Sequence, residues 1–283
     1  MFAIFDFFAN TFGLFLNFLY NLVQNYGLAI VIFSVCIKLI LFPISIKQQK
    51  TLKKSAKVQS KMKELQDKYS NNQEKLTQEV MELYKTEKMS PLGGCLSAIV
   101  QVLLLLSVFY LVRSPLTYMK KVEPTVIETY KEQLSEDSKN SAYPEIAIIQ
   151  QFGSQDEKIN INMNLFGLDL SLIPTSDLTN YKAFIIPALY VLTTFVSMKL
   201  TNNMQKLNSK KDENENLENK EKDEMDAVLQ ANKSMNLMMP IMSVAIALAA
   251  PLGLALYWLT NNILMIIERL IMNKFFNNVE EED

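Results

Sequence analysis

The sequence predicts an all-α polytopic membrane protein with five transmembrane helices, a hydrophilic groove facing the cytoplasm, an N-terminal interfacial helix and a cytoplasmic helical hairpin. Three observations predict it. Apolar runs long enough to cross a bilayer alternate with strongly charged loops, so a chain that is 49% apolar has a mean hydropathy of only +0.07. Lysines crowd one side of those runs. A cation, Lys38, lies inside the first run, and other runs carry polar residues at helical spacing.

Residues 1–26 are rich in phenylalanine but lack the basic start of a signal peptide. Asp6, Asn10, Gly13, Asn17, Asn21 and Gln24 recur every three or four residues, which places them along one side of a helix. The expectation is a helix lying in the interface, its aromatic side in lipid, with a sixth span as the competing reading. Residues 27–46 form the first span, about twenty mostly apolar residues for a core of roughly 30 Å. Residues 47–90 follow with lysines at 47, 50, 53, 54, 57, 61 and 63, the charge bias of a cytoplasmic loop. Val58, Met62, Leu65 and Tyr69 share one helical face, as do Leu76, Val80, Leu83 and Tyr84, with Ser70, Asn71 and Asn72 as turn residues between them. That pattern predicts an antiparallel helical hairpin.

The second span is residues 96–112, ending at Arg113. Residues 113–182 lack a long apolar run and are more acidic than basic, as suits an extracytoplasmic loop. Residues 183–200 form the third span. Residues 201–234 are a low-complexity charged stretch without the means to bury a core. The fourth and fifth spans, 235–250 and 252–272, are separated by Pro251 alone and must form a tight helical pair. An acidic cytoplasmic tail, 273–283, follows Arg269. The topology is N-terminus outside, C-terminus inside.

Lys38 lies about 12 Å before the Ile46 end, too deep for its stem to reach bulk water unaided. On insertion scales such a cation costs about 2.5–3.5 kcal/mol, so it is expected to face a wet protein interior. Ser34, Lys38 and Ser45 fall on one side of the first span, and Ser97 and Gln101 are four apart in the second. The third offers Thr193, Thr194, Ser197 and Thr201, and the fifth Tyr257, Trp258, Asn261 and Asn262. Serine and threonine often bond their own backbone, and Asn and Gln often join helices, so each stripe alone is also consistent with packing. No Asp or Glu occurs in a span at comparable depth, Glu268 being nearer the inner face. The expected site is therefore a hydrated groove formed by Lys38, Ser34, Gln101, Thr194, Ser197, Trp258 and Asn262, whose counter-anion arrives from elsewhere. With no histidine and two cysteines, Cys36 and Cys95, no metal site, cofactor or catalytic residue is expected. A GxxxxGK[ST] nucleotide loop does not occur.

The cation in the first span followed by LFPISIKQQK, the basic hairpin, PLGGCLSAIVQ at 91–101, NLFGLDLS, MMPIM at 238–242 and LYWLTNN at 256–262 together resemble the YidC and oxidase-assembly family of membrane insertases. The resemblance covers most of the chain. It implies a five-helix core with a cytoplasm-facing groove that receives hydrophobic segments of nascent proteins and releases them into lipid, not an enzyme. Lys38 stands where the family commonly has arginine, keeping the charge without the bidentate fork. Trp258 and Asn262 match family positions, whereas Ser197 replaces a glutamine and Ser97 a proline. The resemblance implies nascent membrane proteins with short acidic outer tails as partners, membrane lipid as surroundings, and a Sec-type translocon and the ribosome as candidates. The acidic end, Glu280 to Asp283, argues against ribosome docking through the tail, and no nucleic-acid site is expected. A bacterial cell membrane, of Gram-positive type, is the expected setting. The alternative function is a secondary transporter of a small anion, with Lys38 as the binding charge; it predicts internal repeats and broken helices.

Overall fold

The computed structural model describes residues 2–69, 72–87, 93–210 and 242–280, with the backbone alone for 2–3, 48–60, 63, 67, 73, 93–101, 201–210 and 273–280. Two compact units share these residues: one holds 2–39, 103–197 and 242–280, the other residues within 40–102 and 198–210.

In the first unit, α1 (Phe2–Val23) ends at Gln24, whose positive φ of 52° turns the chain. The Asn25 side chain then accepts from Leu28 N at 3.0 Å and starts α2 (Tyr26–Lys68), a single helix that continues through Pro43. Three apolar stretches are long enough to cross a membrane: Tyr26–Lys47 in α2, Tyr181–Leu200, and Leu252–Met272. The second of these spans most of α9 (Ile185–Lys210), and the third lies in α11 (Leu252–Glu280). A shorter apolar segment, Val102–Arg113, belongs to α4 (Gly93–Arg113), and residues 242–249 are helical and labelled α10. The expected fourth span, 235–250, is described from residue 242 onward, while most of the charged stretch before it and residues 281–283 lie outside the described residues.

Residues 113–182 form a packed subdomain of short helices, α5 (Pro115–Tyr118), α6 (Pro124–Glu132), α7 (Glu136–Lys139) and α8 (Pro144–Phe152). Proline at the start of α5, α6 and α8 supplies a preset φ where no backbone donor is needed. Leu116 of α5 and Ile148 of α8, with Met119 and Ile159 of the connecting segments, are wholly buried in the same core as Tyr26, Ile30 and Leu254 of the long helices. Glu145 is buried with them and caps α5 from a distance, accepting from Leu116 N at 2.7 Å, Thr117 N at 3.1 Å and Thr117 Oγ1 at 2.6 Å. Burial pushes its carboxyl above the usual range, and these donors oppose the shift.

One departure from an all-helical chain is a strand pair, β1 (Asn164–Leu165) with β2 (Leu168–Asp169), antiparallel, in the register Asn164 opposite Asp169. Phe166 and Gly167 turn it with φ of 50° and 83°, the two positive values that a two-residue type I′ hairpin requires. The segment around it holds the starts of two long helices. Tyr26 N donates to Asn162 O, and Leu252 N and Gly253 N donate to Leu172 O and Leu170 O, each at 2.9 Å. First-turn N–H groups have no partner within their own helix, so this segment satisfies what α2 and α11 leave open.

Of the polar set in α1, Asp6 accepts from Tyr118 Oη at 2.7 Å and Asn10 from Lys121, while Gly13 lies against the Tyr118 carbonyl. Ile4, Phe7, Leu14, Phe18 and Leu22 are exposed. In the second unit the end of α2 pairs with α3 (Gln73–Thr86): Lys61 Nζ lies 2.5 Å from Glu87 Oε1, and Tyr69 Oη donates to Glu79 at 3.4 Å. These contacts run opposite in sequence, as an antiparallel pair requires, and Asn72 caps α3 through Lys75 N.

Candidate site in the membrane-spanning helices

Lys38 does have a carboxylate partner. Its Nζ lies 2.5 Å from Glu268 Oε2, so the expectation of a lone cation is corrected. Counted from the starts that the strand segment holds, Lys38 is about 18 Å along α2 and Glu268 about 24 Å along α11. Two long side chains close that difference of about 6 Å, and the sequence alone gives no common origin for the two counts. Glu268 is 7% exposed at its side chain, whereas Lys38 is 25% exposed. Glu268 Oε1 is buried and accepts no hydrogen bond from any described residue.

Four other expected residues lie along the seam between α9 and α11. Asn262 Nδ2 donates to Thr194 Oγ1 at 2.9 Å and Thr193 Oγ1 at 3.3 Å, and both hydroxyls donate in turn to the Tyr190 carbonyl. One turn earlier, Trp258 stacks on Tyr190 with ring centres 6.2 Å apart. Two turns later, Arg269 Nη1 donates to Ser197 Oγ at 3.2 Å and Ser197 O at 3.3 Å. This seam satisfies its polar groups internally, which is what joins helices in a lipid environment.

Ser34 stands apart from the expected stripe: it is buried and donates to Ile30 O at 2.8 Å in its own helix. Gln101 belongs to α4, but its side chain, like those of Ser97 and Thr201, lies outside the described residues. Sequence reasoning missed Glu268 and Arg269 as site members. The signal was present: Arg269 is seven residues after Asn262 and Glu268 seven after Asn261, two helical turns in each case.

An ammonium has three donors and its bond to Glu268 uses one. The exposed part of Lys38 therefore retains donors for a second carboxylate or for water, while Glu268 holds the group in place.

The family model described as 60Kd inner membrane protein matches residues 18–280. The chain belongs to that family. Within it, a relative from Citrifermentans bemidjiense named membrane protein insertase YidC is 29% identical over 260 residues, 92% of this chain and 35% of the relative. Shorter matches of higher identity carry the same name: one from Syntrophus aciditrophicus, 48% identical over 87 residues (31% of this chain, 16% of the relative), and one from Buchnera aphidicola, 42% over 99 residues (35% and 18%). The chain spans about a third of the length of the curated relatives that it matches along most of its own. The resemblance to YidC read from its motifs is thus shown across nearly the whole chain, and a bacterial membrane protein is the setting that the relatives and the apolar helices support.

Proposed function

We propose that this chain is a membrane protein insertase that receives hydrophobic segments of nascent proteins in a polar groove and releases them laterally into the bilayer. Membership of the family over residues 18–280, with relatives named membrane protein insertase YidC, carries the reading. The proposal includes five spans, an extracytoplasmic N-terminus and a groove reached from the lysine-rich side. Lys38 binds a carboxylate in the short acidic tail of an incoming chain through the donors that Glu268 leaves free. Glu268 fixes the ammonium and weakens its hold, so that the substrate is kept transiently. Trp258 and Asn262 keep the α9–α11 wall rigid, with Ser197 and Thr194. Partitioning of the substrate helix into lipid drives release, at roughly 25 cal/mol per Å² of apolar surface.

The test depletes the cell of this protein and supplies Lys38→Ala, Lys38→Arg or Glu268→Gln, following insertion of an acidic-tailed substrate and its crosslinks to position 258. Lys38→Ala lowers insertion several-fold, Lys38→Arg restores it, and Glu268→Gln prolongs the crosslink. Wild-type insertion by Lys38→Ala with unchanged crosslinks would remove the charge from the mechanism. Loss of insertion without any crosslink to the substrate in the wild type would remove the groove.

A further inference from the structure

At the end of the spans where α2 and α11 begin, three large apolar side chains stand in the open: Phe166 is 91% exposed, Leu178 74% and Tyr181 73%. Phe166 occupies the tip of the strand pair in a left-handed backbone that asparagine or glycine adopts at lower cost than a ring-bearing residue. Neither the turn nor internal packing calls for phenylalanine there.

The hairpin's position says what surrounds that ring. Leu165, the neighbouring residue, packs on the first turn of α2: a Cβ placed on Gly27 would fall 2.9 Å from Leu165 Cβ. One strand step of about 3.4 Å, followed by the length of a phenylalanine side chain, keeps the ring within about 10 Å of the start of the span. The polar layer flanking each side of the hydrocarbon core is about 5–7 Å thick, so the ring lies at that depth or just beyond it. β2 packs against the 3₁₀ turn Tyr181–Phe184, and Tyr181 itself begins the span Tyr181–Leu200. Tyr181, Ile185 and Leu189, spaced four residues apart, are all exposed, and the last two lie in the apolar part of α9 that is long enough to cross the bilayer.

We propose that Phe166, Leu178 and Tyr181 form an anchor that inserts into the lipid leaflet at the Tyr26 end of the spans. Aromatic side chains favour that layer because a flat apolar body can sit among acyl chains while a polar edge meets the headgroups. The occupant is lipid and not a protein partner, because Tyr181 begins the span Tyr181–Leu200 and Leu165, the neighbour of Phe166, packs on the first turn of α2. The anchor has a consequence for the candidate site. The same segment holds the starts of α2 and α11 through its carbonyls, so fixing it in the leaflet fixes the depth of Lys38 and Glu268.

Trp258 is the sole tryptophan of the chain, so the test replaces it with Phe and installs a new tryptophan as Phe166→Trp. A parallel protein carries Glu128→Trp, at an exposed residue of α6, as an aqueous reference. In proteoliposomes of phosphatidylcholine and phosphatidylglycerol, lipids brominated near the headgroup quench the tryptophan at 166 several-fold more than the reference, and acrylamide quenches it several-fold less. Leu178→Trp and Tyr181→Trp give the same pattern, which covers the case where the first variant does not fold. Quenching at all three positions equal to the reference overturns the anchor. Shielding from both acrylamide and bromolipid also overturns it, since the patch would then be covered by a second copy of the chain.

Discussion

Lys38 and Glu268 each bring a charge into a span, and their pairing lowers the cost of both. Removing one partner of a fully dry pair costs about 3–5 kcal/mol, and less here because a quarter of the lysine remains accessible. That accessibility separates this pair from a purely structural one and is why a carboxylate that the sequence placed too low still leaves the cation available. Glu145 is the contrasting case, a buried carboxylate that touches only its own protein. Its donors, Leu116 N and Thr117 N, would be left unpaired in Glu145→Ala, which is expected to cost about 1–3 kcal/mol in the unfolding of the 113–182 subdomain. Its pH dependence has a definite sign. A carboxyl whose value is raised in the folded state binds its proton more tightly there, so its contribution to stability is complete below the ordinary carboxylate value and is lost as pH rises through the raised one. Thermal unfolding followed across that window should show the decline in the wild type, and Glu145→Gln should remove that part of it. An unchanged profile in the variant would assign the decline to another group.

Among the elements, α1 is held to α5 by a close backbone approach that only glycine permits. A methyl group at position 13 would lie 2.0 Å from the Tyr118 carbonyl oxygen, closer than any real contact, and backbone cannot swing aside as a side chain can. Gly13→Ala should therefore separate α1 from α5 and release the bonds of Asp6 to Tyr118 and Asn10 to Lys121. The expected loss is about 1–3 kcal/mol, the usual range for overpacking. Hydrogen exchange of residues 116–119 would report it, and unchanged protection there would show that the two helices part without cost. The periodic Asp6 to Gln24 set was legible in the sequence as one face of a helix. What that face meets was not, because it packs on residues more than a hundred positions away, and short helices such as α5 leave little periodic signal. The 113–182 segment shows the same limit: its apolar residues are scattered in runs too brief to announce a core, and they find one another only when α5, α6 and α8 come together.

For the molecule as a whole, family membership joins the apolar helices, the basic stretch and the intramembrane pair into one reading. An insertase that relies on partitioning needs no nucleotide. Proteoliposomes holding this chain alone should insert a short acidic-tailed substrate equally with and without ATP, and should show no flux of small anions above that of empty vesicles. Anion flux abolished by Lys38→Ala, without insertion, would instead support the transporter. The distribution of charge and apolar length needed for this reading was visible residue by residue, as was the cation in the first span. The partner of that cation was not, nor was the turn of the Ser34 hydroxyl onto the Ile30 carbonyl of its own helix.

By itself the sequence determined which stretches prefer lipid, where Ser70, Asn71 and Asn72 break a helical pattern, and which motifs tie the chain to its family, because hydropathy, turn chemistry and motif spacing are properties of neighbouring residues. Only the tertiary structure decided that Glu268 meets Lys38, that Asn262 closes on Thr193 and Thr194, and that the segment around one hairpin holds two long helices at their starts. Each of those depends on the axial offset between helices far apart in the chain, and an offset is set by what caps and packs against their ends, not by anything counted along either helix.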